Sequence, residues 1–107
     1  WVVTHRDLDP VDGVEYFAGD IADLHPRLVE AAAGRDVWVV GGGDLAGQFA
    51  DLGLLDRVWI HQCAVVLGYG RPLLPRRLRL HRRQLDTDGQ FTAMLFDVVG
   101  PEPRDSA

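Results

Sequence analysis

Three consecutive glycines, Gly41, Gly42 and Gly43, stand between an apolar run of β-formers, Val37 to Val40, and a segment whose apolar residues take up a helical period from Asp44 onward. A turn of this kind, at the carboxyl end of a strand and opening a helix, presents the main-chain N–H groups of the first helical turn and the positive end of the helix dipole, about half a unit charge. Because glycine has no Cβ, a diphosphate can approach that backbone closely. The chemistry suggested is anion binding, with Gly41, Gly42 and Gly43 as candidate phosphate contacts. The pattern is neither GxGxxG nor a Walker loop with its lysine, and a tight turn that serves only the chain explains the glycines equally well. Asp44 cuts both ways: its charge opposes an anion, yet a first-turn carboxylate stabilises the helix it opens.

Other reactive side chains form no such constellation. His25, His61 and His81 fall at no ligand-like spacing and read as structural or surface residues, so no metal is expected. Cys63 is the only cysteine, which rules out an intramolecular disulfide and any cysteine-based zinc site; within "IHQCAVV" it reads as a buried structural thiol. All eleven basic residues are arginines in a chain of net charge −5. The one basic cluster, Arg76 to Arg83, alternates Leu78 and Leu80 with Arg79 and His81, as a strand with one solvated face does, so nucleic acid is not an expected partner. No apolar run approaches the roughly 18 residues that span a bilayer, and no leader pattern is read, so no membrane partner is expected and a reducing, cytoplasmic setting is compatible. The chain opens at Trp1 in what reads as mid-strand, without an initiator methionine, which suggests that something precedes it.

The elements that position the glycines follow from periodicity. "WVVT" reads as a short strand, stopped by a polar loop punctuated by Pro10 and Gly13, and Val14 to Phe17 as a second strand. Ala22 to Ala33 is helical, with Leu24, Leu28 and Ala32 on one face, Pro26 tolerable only in the first turn, and Gly34 as the stop. Val37 to Val40, apolar on both faces, has the pattern of a strand buried in a parallel sheet. Leu45, Phe49 and Leu52 form the apolar face of the next helix, which Gly53 ends. A long strand from Arg57 to Leu67 follows, then the loop "GYGRPLLP", then two alternating runs joined at Asp88 and Gly89, a hairpin signal. The order β, β, α, β, α, β, β, β defines an α/β fold with a mixed sheet. With 107 residues there is one domain at most, burying somewhat under about 70% of its unfolded surface.

The stretch "VWVVGGGDLAGQFADLGLLDRVWIHQCAVVLGYGRPLLP" resembles the dihydrofolate reductase superfamily, specifically the bacterial dihydrofolate reductase-like proteins related to the C-terminal reductase domain of the bifunctional riboflavin-biosynthesis protein. The resemblance runs from "WVVTHR" to the last strand. It implies a mixed sheet, mostly parallel with an antiparallel C-terminal hairpin, flanked by helices: residues 1–100 as the C-terminal part of the domain and 101–107 as a flexible tail. It departs from the family at Ala64, where relatives frequently carry proline, and at the front, where the family's first strand, substrate-binding helix and second strand have no counterpart here.

In this family the glycine turn holds the diphosphate of NADPH, and its first two glycines are commonly joined by a cis peptide. Matched residue by residue, the resemblance implies cofactor contacts from Val40, Gly41, Gly42, Gly43, Asp44 and Leu45, with Gln48 one helical turn on. It implicates Thr4, His5 and Arg6 in holding the adenosine 2′-phosphate and places Gly19, Asp20 and Ile21 near the adenine. The residue types agree: an arginine can fork onto a phosphate, a threonine hydroxyl can donate to it, and a protonated histidine adds charge. The implied activity is an NADPH-dependent oxidoreductase that transfers hydride to a pteridine- or pyrimidine-type heterocycle, as a homodimer. No catalytic residue is assigned, because the family's ring-holding residues come mostly from the region without a counterpart. The alternative is a non-catalytic dimerisation or ligand-binding module that keeps the glycine turn as structure, with Trp38 and Trp59 in an apolar interface.

Overall fold

The computed structural model describes residues 1–104. The chain divides into two compact units, Trp1–Trp38 and Val39–Ala107.

In the first unit, β1 (Val2–Val3) pairs in parallel with β2 (Tyr16–Phe17), Val2 opposite Tyr16 and Val3 opposite Phe17. A parallel pair needs a crossover of about a dozen residues, and the polar loop from Thr4 to Glu15 supplies it, turning at Gly13 with a φ of 78°. Helix α1 (Ile21–Ala32) follows. Ile21 and Leu24 are buried, Leu24 completely, and Leu28 and Ala32 are half-buried, so the expected apolar stripe faces inward. Ala33 leaves the helix in the left-handed region and Gly34 follows with a φ of 85°. Pro26 lies beyond the first turn, contrary to expectation. Its missing N–H removes the bond to the Ala22 carbonyl, and the inward apolar face holds the helix together across that gap.

The second unit contains α2 (Gly43–Asp51) and the strands β3 (Arg57–Gln62), β4 (Leu78–Asp88) and β5 (Phe91–Pro101) in the order β3-β5-β4, antiparallel throughout. Phe49 is buried, Leu45 is half-buried, and Leu52 turns outward. The helix ends in a Schellman arrangement: Gly53 has a φ of 71°, its N–H donates to the Ala50 carbonyl at 3.0 Å, and the Leu54 N–H donates to that of Phe49 at 2.9 Å. Between β4 and β5 the turn residues are Gly89 and Gln90, one position later than expected. The φ of 59° at Gly89, with Gln90 outside the positive region, marks a type II′ turn. Leu78 and Leu80 point toward partial burial while Arg79 and His81 are exposed, the alternation expected of the basic cluster.

The mixed α/β class stands, and its parallel part is the β1–β2 pair. Val37–Val40 is not a strand and is not buried; Trp38 is 81% and Val40 88% exposed. No strand among the described residues lies beside this segment, so its extended, β-branched backbone has nothing to pair with. The long strand expected to reach Leu67 stops at Gln62. Its register explains the stop: Gln62 faces Thr92, and two residues further on β5 has given way to the Gly89–Gln90 turn. Cys63 lies just past this end and is exposed rather than buried. At the C-terminus β5 reaches Pro101, and the carboxylate of Glu102 accepts two bonds from the Arg79 guanidinium at 2.7 and 3.1 Å. Residues 105–107 of the expected tail lie outside the described residues.

Candidate functional site

The sequence-predicted contacts fall into two groups, one in each unit. In the first unit, Thr4, His5 and Arg6 leave the carboxyl end of β1, and Gly19, Asp20 and Ile21 leave that of β2. Parallel pairing brings both loops to the same edge of the pair. The Thr4 N–H donates to the Phe17 carbonyl at 2.9 Å, and the Thr4 hydroxyl accepts the Arg6 N–H at 3.0 Å, which leaves the hydroxyl proton free to donate. His5 and Arg6 are exposed, and no described acidic group engages the Arg6 guanidinium. Asp20 is the N-cap of α1, though its side chain makes no capping bond, and Ile21 is buried in the helix's apolar face. Ile21 therefore contributes backbone, not side chain, to this edge. Gly19 has a φ of 153°, and a Cβ there would come within 3.2 Å of the Phe17 ring.

In the second unit, Val40, Gly41, Gly42, Gly43, Asp44, Leu45 and Gln48 form the turn into α2 and its first turns. The three glycines have different reasons to be glycine. Gly43 is required by packing: a Cβ would lie 2.3 Å from the Leu73 carbonyl oxygen and 3.1 Å from that of Pro72, both backbone atoms. Gly42 is required by conformation, with a φ of 84°. At Gly41 neither applies: its φ is ordinary and a Cβ would meet nothing within 4 Å. The Gly41–Gly42 peptide bond is trans, where a cis bond was expected; the positive φ of Gly42 turns the chain. The first helical bond runs from the Ala46 N–H to the Gly42 carbonyl at 3.1 Å, so the N–H groups of Gly43, Asp44 and Leu45 precede the helical ladder. These three N–H groups are the donors that an anion held at this turn would use.

Sequence reasoning missed Arg76. Its Nε donates to Asp51 Oδ1 at 2.8 Å, and its Nη1 donates to Asp44 Oδ1 at 3.2 Å and to the Pro75 carbonyl at 2.8 Å. The guanidinium lies across Gly47, where a Cβ would be 2.7 Å from its Cζ. Asp44, Gly47 and Asp51 recur at i, i+3 and i+7, two carboxylates on one helix face with a gap between them. That spacing is the signal from which a clamping cation was readable. The other oxygen of Asp44 accepts from Gln48 Nε2 at 3.0 Å, so Gln48 acts on Asp44 and not only on a ligand.

These contacts hold the Asp44 carboxyl below its ordinary value of 3.8, the Gln48 hydrogen bond first and Arg76 next, and Arg79 holds Glu102 below 4.5 in the same way. A carboxyl depressed in the folded state contributes stability that is present above its unfolded value and lost as pH falls through the folded one. The melting temperature is therefore expected to fall as pH drops from about 4.5 through 3.8 and below. Arg76→Met and Arg79→Met should each flatten that acid limb; unchanged limbs in both variants would show that these pairs do not link folding to pH.

Among the described residues, no group of three or more His, Cys, Asp or Glu side chains is placed to hold a metal ion, and no helix is long and apolar enough to cross a membrane.

The chain is a mixed α/β protein, with polar loops at the carboxyl end of a parallel pair in its first unit and a glycine turn opening a helix in its second. The chain belongs to the RibD C-terminal domain family, which matches residues 1–91 and is a reductase family. It is 29% identical over 98 residues to the "Uncharacterized protein YyaP" of Bacillus subtilis (strain 168), covering 91% of this chain and 52% of that protein. The chain thus spans about half the length of the curated relative it matches. Its fold is similar to the crystal structure of a "Putative riboflavin biosynthesis protein" from Shewanella sp. PV-4, with a TM-score of 0.69 and 18% identity over 90% of this chain and 58% of that one.

Proposed function

We propose that this chain is the cofactor-binding portion of an NADPH-dependent reductase that acts on a pteridine- or pyrimidine-type heterocycle and works as a homodimer. Membership of a reductase family supports the general kind. The single observation that carries the finer reading is Gly41: of three adjacent glycines it alone is demanded neither by packing nor by backbone angle, and in sequence it directly precedes the turn whose Gly43 to Leu45 amides lie outside the helical ladder. A ligand that must come close to the backbone explains it.

On this reading the nicotinamide, when bound, supplies the hydride, and the protein contributes binding and orientation. The amides of the turn would hold the diphosphate, with Val40 and Leu45 flanking it. The Thr4 hydroxyl and the Arg6 guanidinium would hold the 2′-phosphate, with His5 adding charge when protonated, and Gly19 and Asp20 would border the adenine. Arg6 carries the discrimination between cofactors, because a bidentate guanidinium–phosphate contact is lost entirely when the 2′-phosphate is absent.

Arg6→Ala should therefore weaken NADPH by about 1 to 3 kcal/mol while leaving NADH nearly untouched. Titration of both cofactors by fluorescence or calorimetry measures this directly. Equal losses for the two would remove Arg6 from the 2′-phosphate site, and absence of NADPH binding by the unaltered protein would overturn the cofactor assignment itself.

A further inference from the structure

An anion-binding turn that opens on an aspartate poses an electrostatic problem. Asp44 is the second residue of α2, and its full negative charge outweighs the roughly half positive charge that a helix N-terminus offers an incoming phosphate. The structure also contains a counter-charge. Both oxygens of Asp44 have donors: Oδ1 accepts from Arg76 at 3.2 Å, and Oδ2 accepts from Gln48 at 3.0 Å. Arg76 is itself fixed by two further acceptors, Asp51 and the Pro75 carbonyl, each at 2.8 Å. Its side chain is only 25% exposed. Gly47 lets the guanidinium lie close against the helix, since a Cβ there would come within 2.7 Å of Cζ and the arginine would have to shift. Asp44, Gly47, Asp51 and the Pro75 carbonyl are thus arranged to hold one cation along the face of α2 that runs from Asp44 to Asp51, and the same stretch of chain lays the Leu73 carbonyl against Gly43.

We propose that Arg76 is a positioning residue for the glycine-turn anion site: it offsets the Asp44 carboxylate, so that the amides and dipole of α2 act on a bound phosphate without an opposing charge beside them. The inference rests on the reading of this turn as the diphosphate site. Arg76 acts through Asp44, and no contact between Arg76 and the ligand is needed. Asp51 serves as the anchor that keeps the guanidinium in place whether or not an anion is present, so no rearrangement accompanies binding.

The charge role and a purely mechanical one, clamping residues 72–76 to the helix, make different predictions. Arg76→Met keeps an unbranched stem over Gly47 and removes only the charged fork. It should weaken NADPH roughly tenfold, in line with a charge lost near a helix terminus. Arg76→Lys keeps the charge without the fork and should bind within about threefold of the unaltered protein. The double variant D44N/R76M, which removes both charges, should likewise recover to within about threefold. Dissociation constants come from calorimetry, with circular dichroism establishing that each variant is folded. As a readout independent of the nucleotide, inorganic pyrophosphate should shift the amide resonances of Gly42 to Leu45 in the unaltered protein and in D44N/R76M, but more weakly in R76M. Equal affinity of R76M and the unaltered protein, or a D44N/R76M variant as weak as R76M, would overturn the role of Arg76 and leave the anion site standing. An unaltered protein that binds neither NADPH nor pyrophosphate would overturn the anion site itself, and this inference with it.

Discussion

Gly43→Ala will unfold the protein more readily than any other addition of one methyl group in α2, and Gly41→Val will leave the fold intact while abolishing NADPH binding. The two residues are separated by one position and share a motif, yet the physics at each is different. At Gly43 the new Cβ would sit 2.3 Å from the Leu73 carbonyl oxygen, 3.0 Å from the Leu73 carbonyl carbon and 3.1 Å from the Pro72 oxygen. All three are backbone atoms and cannot rotate away, so either α2 or the loop from Pro72 to Arg76 must move. Overpacking of this kind costs about 1 to 3 kcal/mol, and the helix-propensity gain of alanine over glycine, about 1 kcal/mol in a helix interior, is smaller at a first helical position. A net loss of about 2 kcal/mol lowers the melting temperature of a chain this size by roughly 8 to 16 °C.

At Gly41 the same accounting gives nearly nothing. The site is exposed, a Cβ meets no atom within 4 Å, and the backbone is not in the left-handed region, so a branched side chain is tolerated by the fold. On the proposed reading, a valine side chain would occupy space needed by a diphosphate held on the Gly43 to Leu45 amides. Thermal melts of both variants, set beside NADPH titration of Gly41→Val, test the pair. A stable Gly43→Ala protein would show that the Leu73 carbonyl is not held against the helix, and undiminished NADPH affinity in Gly41→Val would remove the ligand explanation of that glycine.

The helices, the basic strand and the C-terminal hairpin were legible in the sequence because each depends on local information. The stripe of Leu24, Leu28 and Ala32, the Gly53 stop after Phe49, and the alternation of Leu78 and Leu80 with Arg79 and His81 are decided within a few residues. Errors arose where the outcome depends on what lies across a ladder. The apolar run Cys63, Ala64, Val65, Val66 and Leu67 reads as a continuation of β3, but the strand ends at Gln62 because its partner turns away at Gly89 and Gln90. Cys63 is therefore exposed where the ladder has run out. The Arg76 clamp was missed for a different reason: its partners Asp44 and Asp51 are 32 and 25 residues away in sequence, so the spacing of Asp44, Gly47 and Asp51 signals a cation without saying which one. Of the candidate site, the glycine turn was visible as a motif, but the separate reasons for Gly41, Gly42 and Gly43 required knowing which backbone passes beside each.

Hydrogen exchange will separate the extended segment from the sheet. Val37–Val40 has the composition of a buried central strand but no strand beside it among the described residues, so its amides have no ladder to protect them. Trp38 and Val40 are also the side chains that such a strand would bury, and both are largely exposed. Met94 and Phe96, by contrast, sit on β5 with β3 on one side and β4 on the other, Met94 facing Ile60 and Leu85 and Phe96 facing Val58 and Arg82. Amides with no partner open at almost no free-energy cost, whereas those of a central strand open only with the sheet. In a dilute sample the amides of Val37 to Val40 should therefore exchange at least about a hundredfold faster than those of Met94 and Phe96. Raising the protein concentration tests the homodimer: if a second copy pairs with this segment, protection at Val37 to Val40 will rise with concentration while that of β5 stays constant. Strong protection of Val37 to Val40 in a dilute monomer would mean that the segment has a strand partner within this chain and that its backbone is not unpaired.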